Sequence, residues 1–150
     1  MARVRHLRIG ITAIVVATAV GVATPASADR SHRTLATVLK GSEEVPGPGD
    51  PDGVGVAGVL INVNRGRICY ALAVKNIEPA IAAHIHVGAD GTAPPNNIVV
   101  PLDAPTRGFS ANCADVGQEL AGQIAAAPDQ YYVNVHTPSH LAGAIRGQLG

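Results

Sequence analysis

From Arg33 to the C-terminus the chain runs in short apolar stretches, each broken by Gly, Pro, Asn or Asp. That rhythm restricts it to a fold built of short strands and tight turns. Residues 34–40 and 54–63 read as the first two strands. Pro46, Pro48 and Pro51 between them lack the N–H that a ladder requires, so residues 41–53 form a loop. Within it Asp50-Pro51-Asp52-Gly53 offers too few oxygen ligands for a calcium loop and reads as a solvated turn.

The most sharply defined hairpin joins residues 54–63 to 68–74 through Asn64-Arg65-Gly66-Arg67, where Asn and Gly supply the positive φ of a tight turn. Ile68, Tyr70, Leu72 and Val74 share one face of the second strand and Cys69, Ala71 and Ala73 the other. With both faces apolar, that strand is expected at the centre of the sheet. Further strands are expected at 82–87, 98–102, 109–113, 131–136 and 144–149. One helix is predicted over 115–127, with Asp115 as cap, Gln118 three residues on, and Val116, Leu120 and Ile124 repeating every four residues. The sequence contains no Trp, and Phe109 is its only Phe. Val, Ile, Leu and Ala must therefore fill the core, and β-branched residues suit a pleated sheet. Seven or eight strands with one short helix point to an all-β Greek-key sandwich, immunoglobulin-like or superoxide-dismutase-like.

The first 28 residues read as a signal peptide. Arg3, Arg5 and Arg8 precede an apolar run from Ile9 to Ala23, and Ala26-Ser27-Ala28 supplies the small residues of a cleavage site. The apolar run is shorter than the ~20 residues that span a bilayer. Cleavage leaves one domain over 29–150 in a secreted or otherwise extracytoplasmic setting. It removes three of the eleven Lys and Arg residues and none of the eleven acidic ones, leaving eight against eleven and a net charge of −3. A weakly acidic domain without basic clusters has no electrostatic footprint for nucleic acid, and it has no polybasic patch to hold it on a membrane after cleavage. In an oxidising compartment Cys69 and Cys113 are expected to pair, in preference to a nucleophilic or metal-bound Cys113.

The residues that carry chemistry are histidines. His84 and His86 stand two apart in a strand and so point to one face, and His136 ends the strand-like run Tyr131-Tyr132-Val133-Asn134-Val135-His136. If those two strands are neighbours, three imidazoles converge on a site suited to copper or zinc. Asn134 shares the face of His136 and is a candidate to orient a ligand, and His140 is a candidate fourth ligand or a bystander. The same imidazoles can alternatively hydrogen-bond buried backbone and hold the sandwich together. Other chemistry has little support. There is no Gly-x-Ser-x-Gly elbow and no phosphate loop, and Glu43 and Glu44 are adjacent, so a strand would send them to opposite faces.

Four ordered motifs resemble the chordin-type domain, CHRD: Glu43-Glu44-Val45-Pro46, Ala83-His84-Ile85-His86-Val87-Gly88, Tyr132-Val133-Asn134-Val135-His136-Thr137 and Gly143-Ala144-Ile145-Arg146-Gly147-Gln148-Leu149. The resemblance runs from Leu35 to Leu149. It implies an immunoglobulin-like or related sandwich of a kind found in animal chordins and in exported microbial proteins, with no firmly attached activity. Growth-factor binding in chordins is assigned to separate cysteine-rich modules that this chain lacks. Where the family places an acidic residue before Ile-Arg-Gly, this chain has Ala144, so a role that pairs a carboxylate with Arg146 is not carried over from the resemblance. A His-x-His strand with Arg146 near the C-terminus is also similar to the copper site of Cu/Zn superoxide dismutases, where an arginine draws in the anionic substrate. The expectation is thus a non-enzymatic binding or structural module with an unidentified extracytoplasmic partner. The alternative is a metalloprotein using His84, His86 and His136, with Arg146 as an anion contact and a superoxide-dismutase-like redox activity.

Overall fold

The computed structural model describes residues 31–94 and 96–150; the expected signal peptide lies outside them. The element order is β1 (His32–Lys40), β2 (Val54–Asn62), β3 (Arg67–Lys75), β4 (Ala82–Val87), β5 (Ile98–Leu102), β6 (Phe109–Asp115), α1 (Gln118–Ala126), β7 (Tyr131–His136) and β8 (Ile145–Gln148). All eight strands pair antiparallel in the order β5-β4-β7-β8-β1-β2-β3-β6. β8 and β1 meet only at Lys40 and Arg146, so the sheet divides into two four-stranded halves. The far edges also approach one another, where Ser110 and Asn112 of β6 donate to Asp103 just after β5. β6 returns past the β4–β5 hairpin to lie beside β3, and β7 returns past β5 and β6 to lie beside β4. These are the long returns of a Greek key, and the result is the expected all-β sandwich in nearly closed form.

Strand alternation builds the core. Leu35 and Leu39 of β1, Ala57, Val59 and Ile61 of β2, and Ile68, Tyr70 and Leu72 of β3 point inward. From the other half they meet Ala83 and Ile85 of β4, Val133 and Val135 of β7, and Ile145 of β8. The β2–β3 hairpin forms as expected, but Gly66 alone supplies the positive φ of its turn (60°), and Asn64 does not take one. Cys69 and Cys113 are register partners on β3 and β6 and are joined by a disulfide.

Four local expectations change. β3 has a neighbour on each side, but its second face is open, with Ala71 and Ala73 exposed. A central strand in a two-layer fold needs only one buried face. Phe109 is exposed, so the core contains no phenylalanine and takes its aromatic bulk from Tyr70 and Tyr131. The helix starts at Gln118 behind Gly117, without a side-chain cap. Asp115 instead ends β6, where its carboxylate pairs with Arg67 at 2.9 Å. Asp50 is buried rather than solvated, because its N–H donates to the Ala144 carbonyl (2.8 Å) and ties the 41–53 loop to the start of β8.

Candidate metal centre

β4 and β7 are antiparallel neighbours, with His84 opposite Asn134, His86 opposite Tyr132 and Ala82 opposite His136. Because Ile85 and Val135 face the core, the alternate positions His84, His86, Tyr132, Asn134 and His136 share the outer face of this half. A register shift between Ile85 and His86 on the β5 side marks a bulge beside His86, a device that re-aims a side chain. Loops cover this face closely, and Tyr132, Asn134 and His136 are all buried. Among the described residues, His84, His86 and His136 form the one group with metal-ligating potential, their ligand atoms all within 4.8 Å of one another.

The hydrogen bonds assign the ring protons. His136 Nδ1 donates to the Leu141 carbonyl (3.0 Å), which leaves the Nε2 lone pair directed at His84 Nδ1, 3.0 Å away. Asn97 donates through Nδ2 to the Val87 carbonyl and to the Tyr132 hydroxyl, and so turns its oxygen to His86 Nδ1 (2.8 Å). His86 Nε2 faces the Asn134 amide oxygen at 2.9 Å. Both nitrogens of His86 thus meet oxygens, which a neutral ring with one N–H satisfies only once.

Glu44 is the acidic member of this network. Burial pushes its carboxyl up to about 7, against the opposing pull of the Arg146 guanidinium, Asn134 and the Val45 N–H. Its Oε1 is buried without a hydrogen-bond partner, and a side chain at Gly143 would collide with the carboxylate. Glu44 from the 41–53 loop thus feels the Arg146 charge through space, without a direct ion pair between them. Arg146 itself is 1% exposed. It donates to the Thr92 (2.7 Å) and Ala89 (3.3 Å) carbonyls and to Gln148, and lies 3.5 Å over the Tyr132 ring. His86 stacks on the same ring, with centroids 4.8 Å apart. Since β7 runs between β4 and β8, His86 and Arg146 reach Tyr132 from its two sides.

All three imidazoles are held neutral. Burial, and then the neighbouring His136 and His86, push His84 down to about 4. Burial also lowers His86, against its bonds to Asn97 and Asn134, and lowers His136, against its bond to Leu141. Neutral imidazole is the form that binds metal. A tetrahedral zinc with Zn–N bonds of about 2.05 Å sets its nitrogens about 3.3 Å apart. His84 Nδ1 and His136 Nε2, at 3.0 Å, lie within a few tenths of an ångström of that spacing. To join a shared ion, His86 would have to release Asn134.

The candidates named from the sequence thus divide. His84, His86 and His136 come together, and Asn134 sits against His86 rather than His136. His140 contacts Thr137 (3.3 Å) and stands outside the cluster. Arg146 is separated from the imidazoles by Tyr132. Asn97, Tyr132 and Glu44 were not anticipated as site residues. Tyr132 was accessible through its strand parity with Asn134 and His136, whereas the loop residues Asn97 and Glu44 carry no periodic signal.

The family profile of the CHRD domain matches residues 35–149. The chain belongs to the CHRD domain family. The match includes all three histidines, Asn134, Arg146 and Glu44, so the whole outer-face network lies within the CHRD domain. No curated protein and no solved structure matches the chain significantly.

Proposed function

We propose that this CHRD domain is a non-enzymatic binding module, exported from the cytoplasm, whose bound species is one copper or zinc ion held by His84, His86 and His136. The observation that carries the reading is the convergence of three imidazoles, two with nitrogens 3.0 Å apart, on one outer sheet face. Their lowered proton affinities keep the rings neutral at neutral pH, the form that binds metal. The Leu141 carbonyl and the Asn97 amide hold the far side of His136 and His86, as outer partners commonly do for ligating imidazoles. The proposal stops at binding: the Arg146 guanidinium is engaged by Ala89, Thr92 and Gln148 and stacked over Tyr132, contacts that tie it into the fold.

Export rests on the N-terminal segment, and the Cys69–Cys113 disulfide supports an oxidising location. Among the described residues no helix is long and apolar enough to cross a membrane. Elemental analysis of protein purified from its natural compartment, without chelators or affinity metals, tests the reading. Near-stoichiometric copper or zinc that disappears in His84→Ala and His136→Ala supports it. Metal-free protein whose variants lose only stability would instead make the histidines structural.

A further inference from the structure

The other half of the sandwich has an outer face that none of the described residues covers. Reading across β1, β2, β3 and β6 by register, it has three uncharged rows. These are Val38–Val56–Ala73–Phe109, Ala36–Gly58–Ala71–Ala111 and Thr34–Leu60–Cys69–Cys113. Its bulky members are open to solvent, with Val38 55%, Val56 52%, Leu60 47% and Phe109 61% exposed. Polar rows frame it: Lys40–Val54–Lys75 at one end, His32–Asn62–Arg67–Asp115 at the other. An apolar centre inside a charged rim is the anatomy of a protein interface.

We propose that this face is a two-fold interface with a second copy of the chain, with Gly58 at the axis. Gly58 lies mid-strand on β2, where glycine weakens a strand. A Cβ added there would meet nothing within 4 Å. The single chain therefore gives no reason for a glycine at this position, whereas close approach of another backbone does. An axis running across the strands through the Gly58 row turns each row onto its counterpart. Leu60 then faces the hollow of about 340 Å³ lined by Val38, Val54, Val56 and Ala73 on the other copy, and the contact is made twice. The same rotation keeps the two lysine rows apart, setting Lys40 opposite His32 and Lys75 opposite Arg67, whose charge Asp115 already balances. Self-complementarity of this kind is what a two-fold interface requires.

The area fits a reversible dimer. Nine-residue strands at about 3.4 Å per residue, four of them about 4.8 Å apart, span roughly 30 by 19 Å. Two such faces bury on the order of 1,200 Å² together, the low end for specific interfaces. Sedimentation equilibrium of the purified protein between about 1 µM and 1 mM covers the affinity range of such an interface. The expected result is a concentration-dependent dimer for wild type and a monomer for both Gly58→Val and Gly58→Lys. Circular dichroism is expected to show both variants folded, and Gly58→Val unfolding at the same or a higher temperature, because the added side chain enters open space and favours the strand. Ala71→Lys on β3 repeats the test if either variant fails to fold. A wild type that stays monomeric throughout, and so leaves the face to some other occupant, would overturn the proposal, as would a dimer that survives these substitutions.

Discussion

The two halves of the sandwich use the same alternation of inward and outward side chains and spend their outward positions differently. On β4, β7 and β8 the outward positions are His84, His86, Tyr132, Asn134, His136, Arg146 and Gln148, roofed by loops so that most are buried. On β1, β2, β3 and β6 the central rows are uncharged, their bulky members Val38, Val56, Leu60 and Phe109 left bare inside a polar rim. Both inner faces are mainly aliphatic, each with one tyrosine, Tyr70 or Tyr131, so the core does not distinguish the halves. The difference lies in the loops. A polar outward face becomes a site only where covering loops supply partners, as the Leu141, Ala89 and Thr92 carbonyls and the Asn97 side chain do here.

The sharpest way to break this contrast is to remove a buried polar anchor and compare it with a change on the bare face. Arg146→Ala leaves the Glu44 carboxyl without its counter-charge and two carbonyls without a donor. A loss of about 3–5 kcal/mol is expected in denaturant unfolding. Adding Glu44→Gln is expected to recover part of that loss, which a double-mutant cycle reads directly. On the bare half, the one covalent tie is the disulfide. Replacing Cys69 and Cys113 by Ala is expected to cost about 2–4 kcal/mol, since the bridge closes 44 positions of chain. By contrast, Phe109→Ser is expected to change stability by less than about 0.5 kcal/mol, because the ring is exposed.

Acid separates the halves as well, through opposing terms within the polar network. The histidines have folded affinities below the ordinary 6.5, so their contribution is complete above 6.5 and is lost as pH falls toward the value of about 4 for His84. Glu44 runs the other way: raised from 4.5 to about 7, it favours the folded state below 4.5, and that contribution is lost as pH rises through 7. Between 4.5 and 6.5 the two oppose each other. Glu44→Gln is expected to steepen the loss of stability on acidification, and His84→Ala to flatten it, in unfolding curves taken across this window. Identical slopes in both variants would detach these residues from the pH response.

Much of the fold was legible because strand alternation and turn chemistry are local. The bounds of β5 and β7 and the β2–β3 hairpin follow from period-two patterns and a Gly-bearing turn. The exposure of Ala71 and Phe109 was not legible, since apolar residues on an uncovered face look the same as core residues until the second layer is placed. At the site, parity put His84 and His86 on one face and Asn134 with His136, but that β7 lies beside β4 is a fact of topology. Glu44 illustrates the harder limit. Its role depends on a loop folding back over β8, a contact across about a hundred positions that no local pattern encodes.

The most direct test of the central claim is calorimetric titration of zinc into chelator-treated protein at pH 7, beside His84→Ala and His136→Ala. One ion per chain, with binding lost or weakened at least tenfold in each variant, is the expected result. Absence of binding to the wild type, or equal binding by all three proteins, would contradict it and leave the imidazoles as internal hydrogen-bonding partners of the sheet.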